Sequence, residues 1–116
     1  MNFSSVSLSD LDSADTSALN TADFGIVKMT HDGKITEYND WQSSFAHIPK
    51  EIATGRHFFS EVAPCTNNYL VSGRYETNST LDETMDYVFS LRMRPTDVVL
   101  RLLKGPDAQY MLCTKP

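Results

Sequence analysis

The sequence has little cysteine, few basic residues and no long apolar run, and each shortage excludes a class of protein. Two cysteines in 116 residues are too few for a disulfide-dense secreted scaffold. Ten Lys and Arg stand against fifteen Asp and Glu, and the net charge of -5 argues against nucleic acid as a partner. No apolar run approaches the roughly 18 residues of a transmembrane helix, and the N-terminus lacks a signal-peptide pattern. We therefore expect a reduced, cytoplasmic protein that binds no membrane.

The motifs of metal and phosphate sites are also missing. The sequence has no glycine-rich phosphate loop and no His-x-x-x-His or Cys-x-x-Cys pair. His47 and His57 are ten residues apart, and His31 falls in a predicted turn. We expect all three histidines to be solvated surface residues, and we predict no metal site.

The chain length fits one domain, which we divide into a cap, residues 1–22, and a core, residues 23–116. The cap contains no Lys or Arg, six serines and few apolar side chains, so it cannot form a hydrophobic core by itself. Ser9 is predicted to be the N-cap of a short helix there. We expect the cap to lie loosely over the rest of the fold.

Strand patterns on both sides of a helical middle predict an α+β fold. The first two strands enclose an Asp-Gly turn and indicate a β-hairpin, and the third shows strict alternation of apolar and polar residues. The predicted strands are residues 24–30, 35–38, 84–93, 98–104 and 109–114. The stretch between the second and third strands has helical composition in short pieces, interrupted before Pro49. This order favours an antiparallel sheet with helices on one face over parallel βαβ units.

Cys65 is the first candidate for chemistry. It follows Pro64 at a break between short helices, where a thiol can face a cavity and helix N-terminal amides can stabilise its thiolate. The structural alternative is a buried, inert cysteine, and the spacing alone favours that alternative. No histidine is placed to activate a papain-like nucleophile, so the sequence argues against an enzyme. Cys113 falls in a predicted strand, and we expect it in the core or on the sheet surface.

Tyr38 and Gln42 form a second candidate. Tyr38 ends the hairpin and Gln42 follows four residues later, so the two side chains can meet if a helix begins after Asn39. They could simply satisfy each other's hydrogen bonds in the core. Alternatively, a tyrosine hydroxyl and an amide N–H are two neutral donors that suit a buried acceptor or anion.

One segment resembles a known family. Residues 57–66, HFFSEVAPCT, are similar to the chromophore-attachment segment of the photoactive yellow proteins. The hairpin at 24–39 and the stretch YVFSLRMRPT at 87–96 resemble the same family, so the likeness covers most of the chain. It implies a PAS fold, with a central five-stranded antiparallel sheet, helices on one face and an N-terminal cap on the other. It also implies p-coumaric acid as a cofactor, joined to Cys65 by a thioester.

The resemblance further implies which side chains surround the chromophore. Tyr38 maps onto the tyrosine that hydrogen-bonds the phenolate, and Gln42 falls where the best-known members carry Glu. The other implied contacts are Phe58, Val62, Ala63, Pro64, Thr66, Phe89 and Met93. The sequence departs from the family at Gln42, at Leu91, where a Tyr is common, and in the stretch 43–48, which is one residue short.

The function that the resemblance implies is blue-light reception. Light would isomerise the chromophore from trans to cis, the phenolate would take up a proton, and the cap would loosen as the signal. The alternative is a non-photic PAS module that binds a small ligand or a protein partner and leaves Cys65 unmodified. The chain has no kinase, cyclase or DNA-binding segment, so we expect any output to act in trans through an unidentified signalling protein.

Overall fold

A five-stranded antiparallel sheet forms the centre of the computed structural model, which describes residues 1–90 and 94–116. Its strands are β1 (Gly25–Met29), β2 (Ile35–Tyr38), β3 (Leu81–Phe89), β4 (Thr96–Lys104) and β5 (Gln109–Thr114). They lie in the order β2-β1-β5-β4-β3, and every neighbouring pair is antiparallel. The expected five-stranded sheet of an α+β fold is confirmed.

Short helical segments precede the first strand and connect the second strand to the third. They are α1 (Leu8–Ser13), α2 (Thr16–Asn20), α3 (Asp40–Ala46), α4 (Lys50–Ala53), α5 (Ser72–Thr77), a π-helical turn (Phe58–Val62) and a 3-10 turn (Pro64–Thr66). The predicted interruption before Pro49 is confirmed, because α3 ends ahead of this residue and α4 begins directly after it. Among the residues that the structure describes, no helix has the length and apolar character needed to cross a membrane.

Strand β3 carries the alternation that the sequence predicts. Its odd-numbered residues from Leu81 to Phe89 are buried or half-buried, whereas its even-numbered residues are exposed. The strand begins at Leu81 rather than at Thr84, because its first residues pair with the end of β4. The strand ends at Phe89, one residue before the predicted Ser90, and residues 91–93 of the predicted strand lie outside the described residues.

The sheet separates two hydrophobic cores. On one face, side chains such as Val27 and Met111 pack with α3, α4, the π-helical turn and α5. On the other face, their strand neighbours Ile26 and Leu112 pack with cap residues that include Leu11. Because side chains of a strand alternate between the two faces, each central strand contributes to both cores. The expected arrangement, helices on one face and the cap on the other, is confirmed.

Arg101 attaches the cap to the sheet through specific hydrogen bonds. This β4 residue forms a bidentate pair with Asp82 of β3, with both N–O distances at 2.9 Å. Its Nη1 also donates to the main-chain carbonyls of Phe3 and Val6, at 3.0 and 2.7 Å. The sequence predicted only a loose contact, and these partners lie too far apart along the chain for any local pattern to reveal them.

Helix α1 of the cap begins earlier than the sequence predicted. Its N-cap is Ser7 rather than Ser9, because Asp10 stands at the position from which a carboxylate can return the capping bond. Ser7 Oγ accepts from Asp10 N–H at 3.0 Å, and Asp10 Oδ2 accepts from Ser7 N–H at 3.1 Å. The helix is also joined to the sheet, since the Tyr110 hydroxyl donates to the Asp12 carboxylate at 2.6 Å.

Candidate functional site

A β-bulge places Tyr38 in the core between the sheet and the helices. The register between β1 and β2 shifts between Lys28 and Met29, and the pairing passes over Thr36. Ile35 and Tyr38 are therefore both buried in the same core, although their odd spacing would place them on opposite faces of a regular strand. The bulge, rather than the simple hairpin that the sequence predicted, brings the hydroxyl inward.

Tyr38 and Gln42 form a buried polar pair, as the sequence predicted. Tyr38 is 3% exposed and Gln42 is 1% exposed. Burial raises the pKa of the Tyr38 hydroxyl to about 12, and a hydrogen bond with the Gln42 side chain opposes part of that rise. The hydroxyl is therefore neutral at physiological pH and can donate a hydrogen bond.

The amide of Gln42 occupies space that Gly25 leaves open. A Cβ on Gly25 would lie 2.1 Å from Gln42 Oε1, so any side chain at this position would displace the amide. Within the described part of the chain, Oε1 is buried and accepts no hydrogen bond. Buried polar atoms without partners are uncommon in folded proteins. The Gln42 amide thus has an acceptor that the described residues leave unused, and rotation of the amide about its terminal bond would place its N–H donors there instead.

Asn39 fixes the start of α3 and thereby the position of Gln42. Its Oδ1 accepts from the main-chain N–H groups of Gln42 and Ile26, at 3.1 and 2.9 Å. Its Nδ2 donates to the carbonyls of Leu19 and Phe24, each at 3.0 Å. An asparagine directly before a helical stretch is a recognisable N-cap signal, but its bond to the cap could not be anticipated from the sequence. Asn39 therefore links the cap to the Tyr38–Gln42 pair.

The predicted attachment segment folds into two tight turns. His57 caps the π-helical turn, because its Nδ1 accepts the main-chain N–H of Ser60 at 3.1 Å. Ala63 N–H then donates to the Phe58 carbonyl at 2.8 Å, and Pro64 opens the 3-10 turn that contains the cysteine. His57 is half-buried and stabilises the start of the π-helical turn, so it is more than a solvated surface residue.

The predicted wall residues of the site divide by burial. Four of them share the buried core that contains Tyr38: Phe58, Val62, Ala63 and Phe89. Thr66 is fully buried, and its hydroxyl donates to the Ala63 carbonyl at 2.7 Å. Pro64 is exposed, and Met93 lies outside the described residues.

Cys65 and Cys113 differ in the exposure of their thiols. Cys65 is half-buried and packs against the core that contains Tyr38, whereas Cys113 is fully buried within it. Burial raises the pKa of the Cys113 thiol to about 12, so this thiol stays protonated at neutral pH. Of the two places expected for Cys113, the core and the sheet surface, the structure shows the core, and Cys65 is the accessible thiol of the two.

The main-chain carbonyl of Cys65 accepts two hydrogen bonds, whereas its N–H has no partner among the described residues. Its carbonyl accepts from the Tyr87 hydroxyl at 2.6 Å and from Asn68 Nδ2 at 3.1 Å. Its N–H has no acceptor among residues 1–90 and 94–116. The alternation of β3 predicted that Tyr87 faces inward, but no sequence signal indicated either partner of the Cys65 carbonyl.

Metal ligands do not cluster in the described part of the chain. Residues 1–90 and 94–116 contain no group of three or more His, Cys, Asp or Glu side chains that could hold a metal ion. His31 is exposed, and its Nε2 bonds the Gly105 carbonyl at 2.8 Å.

Similarity to known proteins extends over most of the chain. No protein-family model matches it. The photoactive yellow protein of Halochromatium salexigens is 31% identical over 101 residues, which are 84% of this chain and 81% of that protein. This chain belongs to the photoactive yellow protein family. A second member, from Rhodobacter capsulatus, is 28% identical over 90 residues, or 75% of this chain and 73% of that protein.

Solved structures agree with membership of the photoactive yellow protein family. The photoactive yellow protein domain of the sensor histidine kinase Ppr from Rhodospirillum centenum has a TM-score of 0.84 at 33% identity, covering 92% of this chain and 98% of that one. The PAS domain of an HTR-like protein from Haloarcula marismortui has a TM-score of 0.70 at 15% identity, covering 94% and 100%, which shows the fold alone. The PAS fold expected from the sequence is confirmed.

Proposed function

We propose that this member of the photoactive yellow protein family is a blue-light photoreceptor with p-coumaric acid joined by a thioester to Cys65. One arrangement carries the proposal: an accessible thiol packs against the core that holds the Tyr38–Gln42 pair, and the N–H beside this thiol has no acceptor among the described residues. When bound, the group would supply absorption of blue light and trans-to-cis isomerisation. The protein would serve as a sensory module rather than an enzyme.

At the attachment end, Cys65 supplies both a nucleophile and a donor. Its thiolate would displace the activating group of an activated p-coumaric acid, forming the carbon–sulfur bond as that group leaves. The neighbouring N–H, which has no acceptor among the described residues, would donate to the thioester carbonyl oxygen. Cys113 is unsuited to this role, because it is fully buried and its thiol pKa is raised.

At the other end, Tyr38 and Gln42 would hold the phenolate. A phenol has a pKa of about 10, so an anion at neutral pH requires a pKa lower by about 3, or roughly 4 kcal/mol. Hydrogen bonds to a charged group contribute roughly 1.5–3 kcal/mol each, so two donors are sufficient. Because burial keeps the Tyr38 hydroxyl protonated, it can serve as one donor, and the amide N–H of Gln42 as the other.

The predicted walls would keep water from the phenolate. Phe58, Val62, Ala63 and Phe89 are buried in the core around Tyr38 and give it an apolar surround. Thr66, Pro64 and Met93 stay predicted contacts. An amide cannot release a proton as a carboxylic acid does, so the proton taken up by the phenolate would come from water or from a group other than Gln42.

The signal would pass from the site to the cap through Asn39. If the acceptor shared by Tyr38 and Gln42 is withdrawn, two buried donors lose their partner, at a cost of roughly 1–3 kcal/mol each. Asn39 bonds the main chain of Gln42 and the Leu19 carbonyl of the cap, so a shift of α3 changes the cap contact directly. We propose that residues 1–22 loosen in the light and that the exposed surface acts in trans on a signalling protein.

Reconstitution tests the attachment chemistry. We expect the apoprotein to become coloured when p-coumaric anhydride is added, and intact mass to show one adduct. Cys65→Ala should abolish both results, and the matched control Cys113→Ala should leave both intact. A normal adduct on the Cys65→Ala protein would exclude Cys65 as the attachment site.

The alternative is a non-photic PAS module that binds a small ligand or a protein with Cys65 unmodified. It is favoured by the burial of Tyr38 and Gln42 in one place, where the Gln42 side chain opposes the rise that burial causes in the Tyr38 pKa, so the two side chains can partly satisfy each other. A correctly folded apoprotein that stays colourless with the anhydride would support this alternative and contradict the photoreceptor proposal.

A further inference from the structure

We propose that Tyr87 and Asn68 are positioning residues that hold the Cys65 carbonyl and so orient the thiol for chromophore attachment. This inference rests on the proposed function for its consequence, but the hydrogen bonds that carry it belong to the protein alone. Neither residue is placed among the chromophore contacts described above.

Three polar groups form a closed hydrogen-bonded triangle at Cys65. The Tyr87 hydroxyl donates to the Cys65 carbonyl at 2.6 Å, and Asn68 Nδ2 donates to the same oxygen at 3.1 Å. Asn68 Nδ2 also donates to the Tyr87 hydroxyl oxygen at 2.7 Å. The two acceptors lie close together as seen from Asn68 Nδ2, so the amide shares an N–H between them, while the Tyr87 hydroxyl donates to the Cys65 carbonyl alone.

The orientation of the Asn68 amide follows from its other contacts. Its Oδ1 accepts from the main-chain N–H groups of Leu70 and Val71, at 2.9 and 3.1 Å. Since both of these groups are donors, the oxygen must face them and the NH2 group must face Cys65. The same side chain therefore ties the attachment turn to the segment that leads into α5.

Tyr87 connects Cys65 to the other side of the site. Its ring packs edge-on against Phe89 at a centroid distance of 6.1 Å, and Phe89 lies 6.4 Å from Phe45 of α3. Helix α3 also carries Gln42. The two ends of the proposed chromophore site are therefore joined by one chain of packed aromatic rings.

The attachment turn needs such external support. The 3-10 turn around Cys65 contains only three residues, and turns this short have little stability of their own. With the carbonyl fixed by two side chains, the backbone torsion that carries the thiol is restricted. Loss of either donor would let the Cys65 peptide rotate and would lower the fraction of molecules with the thiol in place for attachment.

Tyr87→Phe tests the hydrogen bond directly, because it removes one oxygen atom and retains the ring. In a Cys113→Val background, a carbon-13 label on the cysteine carbonyl reports Cys65 alone in infrared spectra. A hydrogen bond lowers the stretching frequency of a carbonyl, so we expect the labelled band to move to higher frequency in Tyr87→Phe. Asn68→Asp should give the same direction, since it keeps the acceptor for Leu70 and Val71 but loses both donors.

Tyr75→Phe is the matched control. The Tyr75 hydroxyl also donates to a main-chain carbonyl, that of Tyr110, at 2.7 Å, and the residue is buried in the same core. This variant measures the general effect of removing a buried tyrosine hydroxyl. We expect it to leave the labelled Cys65 band unchanged, and thermal melting should show that all three variants are folded.

The consequence for attachment is measured on the apoprotein as the rate of loading with p-coumaric anhydride divided by the rate of alkylation of Cys65 by iodoacetamide. Alkylation serves as the reference because it tolerates many thiol orientations. We expect the ratio to fall roughly 2- to 10-fold in Tyr87→Phe and Asn68→Asp, the factor that corresponds to one neutral hydrogen bond. It should stay at the parent value in Tyr75→Phe.

The outcomes separate this inference from the proposed function. An unshifted band in Tyr87→Phe, or a ratio equal to that of Tyr75→Phe, overturns the positioning role even if the parent protein loads normally. A shifted band together with a parent protein that never loads supports the hydrogen bonds and rejects the photoreceptor function. A shifted band with a reduced ratio supports both.

Discussion

Gln42 combines burial with a side-chain oxygen that has no partner among the described residues, beside a hydroxyl that stays protonated. A protonated Glu would donate a shorter and stronger hydrogen bond to a phenolate than an amide does. The ground state of the bound phenolate would then be stabilised more, and its charge would shift less freely on excitation. We therefore predict that Gln42→Glu moves the dark-state absorption of the reconstituted protein to shorter wavelength.

Infrared difference spectra extend the same test. In Gln42→Glu we expect a carboxylic acid band to disappear on illumination, because the new side chain can give up a proton. The matched control is Gln109→Glu, which changes another buried glutamine with an unpartnered oxygen at the far end of β5. It should leave the visible spectrum unchanged. The same absorption maximum in Gln42→Glu and the parent would place residue 42 away from the phenolate.

The buried Cys113 thiol should make the folded state sensitive to alkali. Burial raises its pKa from 9.0 to about 12, so the folded protein keeps a proton that the unfolded chain has released. The contribution to stability is therefore complete below pH 9 and is lost as the pH rises toward 12, by about 1.4 kcal/mol per pH unit.

Urea unfolding at pH 8 to 10.5 tests this contribution. We predict that Cys113→Val, which cannot ionise, loses less stability over that range than the parent does. Tyr38, whose pKa is also raised to about 12, begins to contribute in the same direction only above its ordinary value of 10.0. Equal slopes for parent and Cys113→Val would contradict the inferred burial of the thiol.

At the scale of single elements, the stability of the short helix α3 depends strongly on its N-cap residue, Asn39. Asn39 makes four hydrogen bonds, two to main-chain N–H groups and two to carbonyls, one of them Leu19 of the cap. We predict that Asn39→Ala lowers the free energy of unfolding by more than the roughly 0.5–2 kcal/mol of an ordinary N-cap. Asp15→Ala is the control, because Asp15 caps α2 through one bond to Ala18 N–H. Chemical denaturation of both variants provides the comparison, and equal losses would argue against the extra links.

The elements show where sequence reasoning succeeds and where it stops. The bounds of β5 and the alternation of β3 were predictable because period-two patterns are local. The approach of Gln42 to Tyr38 was predictable because a helix begins almost directly after the strand that Tyr38 ends. The bulge at Thr36 was not, since it arises from the register between two strands. The partners of the Cys65 carbonyl were also hidden, because Tyr87 is 22 residues away and only the folded sheet brings it there.

At the scale of the whole molecule, attachment of the cap depends on contacts between the two ends of the chain. Arg101 and Phe3 are 98 residues apart, yet the guanidinium holds the Phe3 and Val6 carbonyls while it is paired with Asp82. The Arg101 side chain is 9% exposed. Without it, one buried and one partly buried carbonyl would lose a charged donor, and hydrogen bonds to charged groups contribute roughly 1.5–3 kcal/mol each. The cap would then open more often while its apolar contacts remained.

We predict that Arg101→Met speeds amide exchange in residues 1–22 in the dark by at least about tenfold, which corresponds to about 1.4 kcal/mol. Arg74→Met is the matched control, because Arg74 also pairs with an acidic residue of β3, Glu83, but its hydrogen bonds go to no cap residue. Exchange in the core strands should be similar in both variants. If light loosens the cap, illumination should add less exchange to Arg101→Met than to the parent, since the cap of this variant already opens more often in the dark. Unchanged cap exchange in dark Arg101→Met would show that apolar packing alone holds the cap.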